Sequence, residues 1–327
     1  MKPQFWLQVC LVGLGAGACS ALLFASVLSG SVLSVALFYL APLPILIAAV
    51  GWSHWAALSA AVTAALGLAL GFSSVFLFFA FLISIGLPAW WLGYLALLAR
   101  PVGPEGELDW YPPGRLVLWA ALLGAVVIMA AMLVLGGSTA AIKATLHDNF
   151  EKLLRLQMHN GAAEPLTIPG VADPQTLLDL LVVVLPPLAV VMTTLTSLFN
   201  LWLAGRIVRI SGRLRRPWPD LAATRLPAAT PIMLAAALTG SFLPDLVGFG
   251  ASLPAASLLI AYAAIGFAVV HGITRHLNSR AIVLTGLYTA VAVFGWPVLL
   301  MTLLGLIDTA LDLRGRVASR GPPAALP

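Results

Sequence analysis

The polar side chains best placed for chemistry follow a pair of prolines inside an apolar stretch. Pro186-Pro187 takes two backbone donors out of a helix and frees the carbonyl groups that would have accepted from them. Thr193, Ser197 and Asn200 come next at helical spacing, which places two hydroxyls and an amide on one face. Irregular backbone at membrane depth is tolerated only where protein or a water-filled cavity covers it. The pattern predicts a substrate-binding site for a solute or ion, and the alternative is a structural kink whose polar groups bond to backbone and neighbouring helices.

A cationic face is predicted where the same helix continues beyond Asn200. Its arginines keep a spacing of three or four residues and are Arg206, Arg209, Arg213 and Arg216. Such a face suits contact with anionic lipid headgroups, and the alternative is a docking surface for a cytoplasmic partner. Trp218, which lies between two prolines, predicts a rigid turn that holds an aromatic ring at the membrane interface.

Small residues recur at every fourth position of the first apolar segment. They are Gly13, Gly17, Ala21 and Ala25. Because a stripe of small residues lets another backbone approach closely, we predict that it docks a helix. That helix is either the second or fourth span of this chain, or a helix of another protein.

Two carboxylates near the end of the chain have a spacing that can share a metal ion, since Asp308 and Asp312 are one helical turn apart. Arg316 offers Asp312 an ion pair instead, and we predict no metal site and no cofactor. No arrangement of serine, cysteine and histidine suggests a nucleophile, so we predict no catalytic residue and a protein that is not an enzyme. Cys10 and Cys19 point to opposite sides of one predicted helix and cannot form a disulfide with each other.

The elements that must position these residues are long apolar segments. Of the 327 residues, 61% are hydrophobic and 9% are charged, which is typical of a polytopic membrane protein. A helix needs roughly 20 apolar residues to cross the hydrocarbon core, so we predict an all-α polytopic transmembrane helix bundle with about nine spans. The predicted spans are residues 5–28, 32–52, 55–72, 75–99, 116–135, 177–204, 228–249, 254–273 and 281–307.

Short links between the first four spans indicate one tight unit, and charge is concentrated after it. The predicted parts are a four-helix amino-terminal unit (1–99), a loop and fifth span (100–137), an external loop (138–176), a carboxy-terminal membrane unit (177–313) and a flexible tail (314–327). In the external loop the apolar side chains repeat along one side of an amphipathic helix, which predicts a helix lying on the membrane surface, with a lid over a cavity as the alternative. These apolar residues are Ile142, Leu146, Phe150 and Leu153.

Arginine placement predicts the orientation. With the amino terminus in the cytoplasm, the six arginines between residues 205 and 225 lie inside, as short cationic loops prefer. A cysteine at Ser211 is then shielded from an impermeant thiol reagent, whereas one at Ala162 reacts. Gly295-Trp296-Pro297 interrupts the last span, and two half-helices there would return the tail to the cytoplasm. The net charge of +5 comes from these loops and not from a basic groove with aromatics, which argues against nucleic-acid binding.

A family resemblance rests on three stretches of sequence. They are Asn200-Leu-Trp-Leu-Ala-Gly-Arg206, the run from Ser211 to Asp220, and Gly305-Leu-Ile-Asp308 with Leu313-Arg314. Through them nearly the whole chain resembles the YybS-like family of uncharacterised bacterial membrane proteins. That family is distantly similar to the substrate-capture subunits of energy-coupling-factor transporters, whose small-residue first helix meets a transmembrane coupling subunit. The resemblance implies a multi-pass protein of the bacterial cytoplasmic (inner) membrane.

Three functions follow as hypotheses. The first is a solute-binding or uptake component, whose energy would come from elsewhere because the sequence has no nucleotide-binding motif. The second is a membrane scaffold or assembly factor that acts through the arginine-rich helix. The third is an intramembrane enzyme acting on a lipid or polyprenyl substrate, which rests only on Asp308 and Asp312.

Overall fold

The computed structural model describes residues 3–102, 107–158, 171 and 173–319. Within these residues the chain forms fourteen α-helices and one small hairpin, which confirms the all-α fold class. The helices are α1 (Pro3–Ala25), α2 (Val32–Tyr39), α3 (Pro42–Gly51), α4 (His54–Gly71), α5 (Val75–Phe81), α6 (Leu87–Ala96), α7 (Pro113–Leu135), α8 (Thr139–Met158), α9 (Pro174–Ile210), α10 (Thr230–Ser241), α11 (Asp245–Ile273), α12 (Arg280–Phe294), α13 (Pro297–Leu311) and α14 (Leu313–Ser319). Strands β1 (Ala99–Val102) and β2 (Glu107–Trp110) pair antiparallel, with Ala99 opposite Trp110.

Seven helical stretches of the described chain are long and apolar enough to cross a membrane. They are Gln4–Ser29, Val32–Gly51, His54–Gly71, Val75–Ala96, Pro113–Leu135, Pro174–Ile210 and Asp245–His276. The other two predicted spans are interrupted. The seventh ends as the short helix α10 before Asp245, whose φ is +56°. The ninth divides into α12 and α13 at Gly295, whose φ of +71° suits a residue without a Cβ, as the sequence predicted.

The chain divides into two compact units that differ from the predicted parts. Unit 1 contains residues 1–120, 194–230 and 260–327, and unit 2 contains residues 121–193 and 231–259. The predicted carboxy-terminal unit from 177 to 313 is therefore not a unit by itself. The reason is visible in unit 1, where the side-chain amide of Asn200 donates to the Tyr39 carbonyl at 2.9 Å and joins α9 to the amino-terminal helices.

The small-residue stripe of α1 packs against α4 inside unit 1. A Cβ at Gly17 would lie 2.6 Å from the Ala60 carbonyl oxygen, and one at Gly13 would overlap the side chain of Ser59. Beside this contact, Ser59 donates to the Val9 carbonyl at 3.2 Å. The helix docked on Gly13 and Gly17 is therefore the third span of the same chain, and not the second or fourth. Farther along the stripe, Ala21 and Ala25 are half-buried.

Helix α9 runs without a break through Pro186-Pro187, which were predicted to bend or break it. The two prolines leave the carbonyls of Val182 and Val183 without their usual helical donors, yet helical backbone continues on both sides. Membrane helices tolerate such a loss where neighbouring groups satisfy the freed backbone. The proline pair therefore does not open the helix for a ligand.

Helix α8 confirms the amphipathic helix predicted in the external loop, but unit 2 covers part of its apolar side. Ile142 and Leu146 are buried with Val182, and Phe150 packs against this cluster. Leu153, at the far end of the apolar side, is exposed. Along the first half of α8 the apolar side therefore contacts protein. Ala162 lies outside the described residues.

The chain beyond α13 begins as a helix where a flexible tail was predicted. The backbone N–H of Arg314 donates to the Asp308 carboxylate, and the Arg314 side chain forms an ion pair with it at 2.7 Å. This carboxylate ties the start of α14 to α13. Residues 313–319 are therefore ordered by a specific contact.

Candidate functional site

The helical face predicted for the four arginines ends early. Helix α9 stops at Ile210 because Gly212 adopts a φ of +70°, a left-handed conformation that commonly terminates helices. Arg206 and Arg209 remain on the helix, whereas Arg213 and Arg216 lie in the loop that follows. The four side chains therefore do not form one face.

The loop turns back onto α9 through the predicted Pro217-Trp218-Pro219 turn. The guanidinium groups of Arg206 and Arg209 lie 5.6 and 5.3 Å from the centre of the Trp218 ring, within the range of cation–π attraction. A Cβ at Gly205 would lie 3.3 Å from this ring, so glycine allows the indole to pack on the helix backbone. Trp218 is thus held by α9.

Three arginine contacts fasten the rest of the loop to the carboxy-terminal helices. Asp220 accepts two hydrogen bonds from Arg275, at 2.7 and 2.8 Å, and these bonds lower the pKa of Asp220 below its ordinary value. Arg314 donates to the Ala222 carbonyl at 2.6 Å. A third contact pairs Arg225 with Asp312. Because Asp220 is ionised at neutral pH and paired, Arg275 carries little unbalanced charge.

A cleft of about 790 Å³ opens beneath this loop in unit 1. One wall is polar, since the His271 ring nitrogen Nε2 lies 2.8 Å from the Tyr288 hydroxyl and Arg280 lies 3.5 Å from His271 Nδ1. The other wall is apolar and includes Ala264 and Ala268 of α11. The cleft presents hydrogen-bonding and apolar groups together, as small-molecule sites do.

A second cavity of about 240 Å³, which we call the annex, shares part of its wall with the cleft. The residues common to both are Val117, Trp202, Trp218, Pro219, Leu221 and Thr224. The annex is lined mainly by apolar side chains, such as Leu198 and Leu201 of α9, and Arg216 is also among its lining residues. Arg216 donates to the Ala96 carbonyl at 3.1 Å, and burial lowers the pKa of its side chain.

The predicted substrate residues line neither cavity. Thr193 donates back to the Ala189 carbonyl of its own helix at 2.8 Å, and Ser197 is half-buried. Asn200 is fully buried and donates to Tyr39 and Thr196 carbonyls, although its side-chain oxygen has no partner among the described residues. These contacts match the alternative in which the polar groups bond to backbone. The face of α9 that lines the annex carries Leu198, Leu201, Trp202 and Gly205.

Asp308 and Asp312 bind different arginines. Asp308 is 2% exposed and pairs with Arg314, whereas Asp312 is at the surface and pairs with Arg225. Among the described residues, no three His, Cys, Asp or Glu side chains are grouped to hold a metal ion.

Contacts of the loop place several helix ends of unit 1 on one side of the membrane. The Arg213 guanidinium lies 4.3 Å from the Trp52 ring, and Arg216 reaches Ala96 at the end of α6. Val32–Gly51 is long and apolar enough to cross the membrane, and a crossing there puts the link at Ser29 on the opposite side from Trp52. Arg314 contacts the same loop, so the start of α14 lies on the arginine side.

These contacts predict a labelling pattern. With Cys10 and Cys19 replaced by alanine, a membrane-impermeant thiol reagent applied to intact cells should label Ser29→Cys and leave Ser211→Cys unlabelled until the cells are opened. Both positions are exposed, and the loop with six arginines favours the cytoplasm. Equal labelling in intact cells would contradict the sidedness, and the reverse pattern would invert the orientation.

Sequence comparison identifies a family. The model of DUF2232, described as a predicted membrane protein, matches residues 18–309, a range that includes all residues of the cleft and annex. No curated protein and no solved structure matches the chain. The match extends over most of the sequence, and the chain therefore belongs to the DUF2232 family of predicted membrane proteins.

Proposed function

We propose that this protein binds a small solute in the cleft and annex without altering it chemically, as a solute-binding or uptake component of the bacterial cytoplasmic membrane. The observation that carries the proposal is the shared wall of the two cavities. This wall lies between a polar compartment at Arg280, His271 and Tyr288 and an apolar one. The two cavities together therefore offer polar and apolar surfaces to a solute, the combination typical of small-molecule sites.

The uptake role is supported by resemblance to the YybS-like family and, through it, to the substrate-capture subunits of energy-coupling-factor transporters. Such a protein relies on a transmembrane coupling subunit for energy. Because α4 covers Gly13 and Gly17, that subunit would contact a different surface of this chain. The exposed apolar side chains of α1, such as Leu7, Leu11 and Leu14, offer one.

Contact with anionic lipid headgroups is a second proposed role, separate from solute binding. It is supported by the exposure of Arg206, Arg209 and Arg213 where α9 leaves the apolar region. A cation near an anionic leaflet gains on the order of 1 kcal/mol, so three of them would help to anchor this end of unit 1. Arg216 is turned toward the annex and does not belong to this group.

The solute-binding proposal predicts that the protein, extracted with its native lipids, retains a small molecule that native mass spectrometry detects. Ala268→Phe should weaken retention, because the ring would project into the cleft from α11 and obstruct it. Ala310→Phe is the matched control, since Ala310 is an exposed helix residue outside both cavities. The proposal would be contradicted if neither the wild type nor Ala310→Phe retained a small molecule. It would also be contradicted if Ala268→Phe retained as much as the wild type. Co-purification of a membrane-embedded subunit with the wild type tests the uptake role separately.

A further inference from the structure

The annex contains a half-buried arginine that no carboxylate neutralises. Arg216 has one hydrogen bond, to the Ala96 carbonyl, and no Asp or Glu among the described residues lies within ion-pair distance. Its neighbours in the annex wall are mainly leucine, valine and tryptophan side chains. Taking a charge out of water without a partner is costly, and burial accordingly lowers the pKa of this guanidinium. An anion that enters the annex would reduce this free-energy cost by pairing with the guanidinium.

A second unsatisfied group lies in the same wall. Thr224 is 8% exposed, and its hydroxyl oxygen Oγ1 is buried without a hydrogen-bond partner among the described residues. It lines both the annex and the cleft. A buried hydroxyl usually finds a partner, so a missing one indicates a place for a ligand or water.

The rest of the annex wall is apolar and would favour a ligand with an apolar part. Its lining includes the indoles of Trp202 and Trp218 and the α9 leucines Leu198 and Leu201, with further apolar residues from α6, α7 and the loop. Its volume of about 240 Å³ is below the roughly 300 Å³ at which pockets for drug-sized ligands begin, so the body is compact. One planar guanidinium with free N–H groups matches the two oxygens of a carboxylate, and a single hydroxyl adds one more donor.

We propose that the annex binds a small carboxylic acid with an apolar body, whose carboxylate contacts Arg216 and Thr224 and whose hydrocarbon part packs on the two tryptophans. This inference rests on the proposed solute-binding function and names its ligand class. Arg275 does not compete for the carboxylate, because Asp220 already pairs with it.

Equilibrium dialysis of the full chain in lipid nanodiscs tests the inference with labelled benzoate, octanoate and dodecanoate, against empty nanodiscs. At least one acid should bind, and its neutral amide should bind at least about tenfold more weakly, since hydrogen bonds between charged groups are stronger than those to a neutral group. Arg216→Gln should weaken acid binding by about tenfold or more and leave amide binding unchanged. Arg215→Gln, an exposed neighbour, should leave both unchanged.

Thr224→Val separates a ligand role from a structural one. Because the hydroxyl has no described partner, its removal should not lower the melting temperature of the empty protein, yet it should weaken acid binding severalfold. The inference is overturned if none of the three acids binds, if acid and amide bind equally, or if Arg215→Gln weakens binding as much as Arg216→Gln. If a neutral solute is retained in mass spectrometry and lost in Ala268→Phe, the proposed function stands while this inference fails.

Discussion

Gly17→Val is expected to destabilise the protein strongly, whereas Gly15→Val, two residues earlier on the same helix, should leave its stability nearly unchanged. A Cβ at Gly17 would lie 2.6 Å from the Ala60 carbonyl oxygen and 2.7 Å from Thr63 Cβ, so α1 and α4 would have to separate. A Cβ at Gly15 meets no atom within 4 Å. Overpacking a tight contact typically costs about 1–3 kcal/mol, and a backbone contact relaxes less readily than a side chain.

The measurement is the melting temperature of each variant in detergent, which is determined by size-exclusion chromatography with fluorescence detection. Both substitutions introduce the same side chain into the same helix, so helix propensity and hydrophobicity are matched. Equal melting temperatures for the two variants would contradict the packing of α1 on α4. They would instead favour the hypothesis that the stripe is open to a helix of another protein.

The spans were predictable because lipid imposes a simple length rule on apolar helices, and seven of the nine predicted spans correspond to long helices. The rule does not detect a turn inside an apolar run. Asp245 with its positive φ divides the predicted seventh span, and the adjacent Pro244 is a turn signal that a length rule does not use. Gly295-Trp296-Pro297 was recognisable in the ninth span, because glycine and proline mark such turns directly.

Local patterns were less reliable where tertiary contacts compete with them. The proline pair in α9 was predicted to bend or break the helix, and the helix is continuous through it. The arginine spacing predicted one helical face from Arg206 to Arg216, but Gly212 ends the helix between them. Glycine and proline signal a change of backbone direction only in some contexts, and neighbouring helices decide which.

The annex could not have been predicted from spacing, because its residues come from distant parts of the chain. Ala96, Leu116, Trp202 and Arg216 meet only after α6, α7, α9 and the following loop have packed together. Arg216 looked like one member of a regular series in the sequence. What separates it from Arg215 is burial, which depends on tertiary structure.

Contacts between the loop and the carboxy-terminal helices bear on the three hypotheses drawn from the sequence. A scaffold role was predicted to use one helical arginine face, whereas Arg216 lines the annex and Arg213 lies in the loop, so only Arg206 and Arg209 remain exposed on the helix. The enzyme hypothesis required Asp308 and Asp312 to act together, and each pairs with a different arginine. Solute binding requires a cavity with mixed walls, which unit 1 supplies.

Asp308→Asn should destabilise the protein by about 3–5 kcal/mol, because it leaves the Arg314 guanidinium buried without its counter-ion. Asp308 and the Arg314 side chain are 2% and 9% exposed, and the pair is made by hydrogen bonds of 3.1 and 2.7 Å. Arg314 also donates to Ala222, so losing the pair should loosen the loop that covers the cleft. Limited proteolysis within residues 213–226 would detect that loosening.

Asp312→Asn is the matched control and should cost little stability, because its ion pair with Arg225 is half exposed to solvent. Asparagine is chosen at both positions because it keeps the shape of the aspartate side chain. At Asp312 it can also adopt the φ of +48° found there. Chemical denaturation in mild detergent measures both costs, and Arg314→Met combined with Asp308→Leu should recover much of the lost stability by replacing the ion pair with apolar packing. If the two asparagine variants lose equal stability, the carboxylates act as one site, and the separate roles assigned to them are wrong.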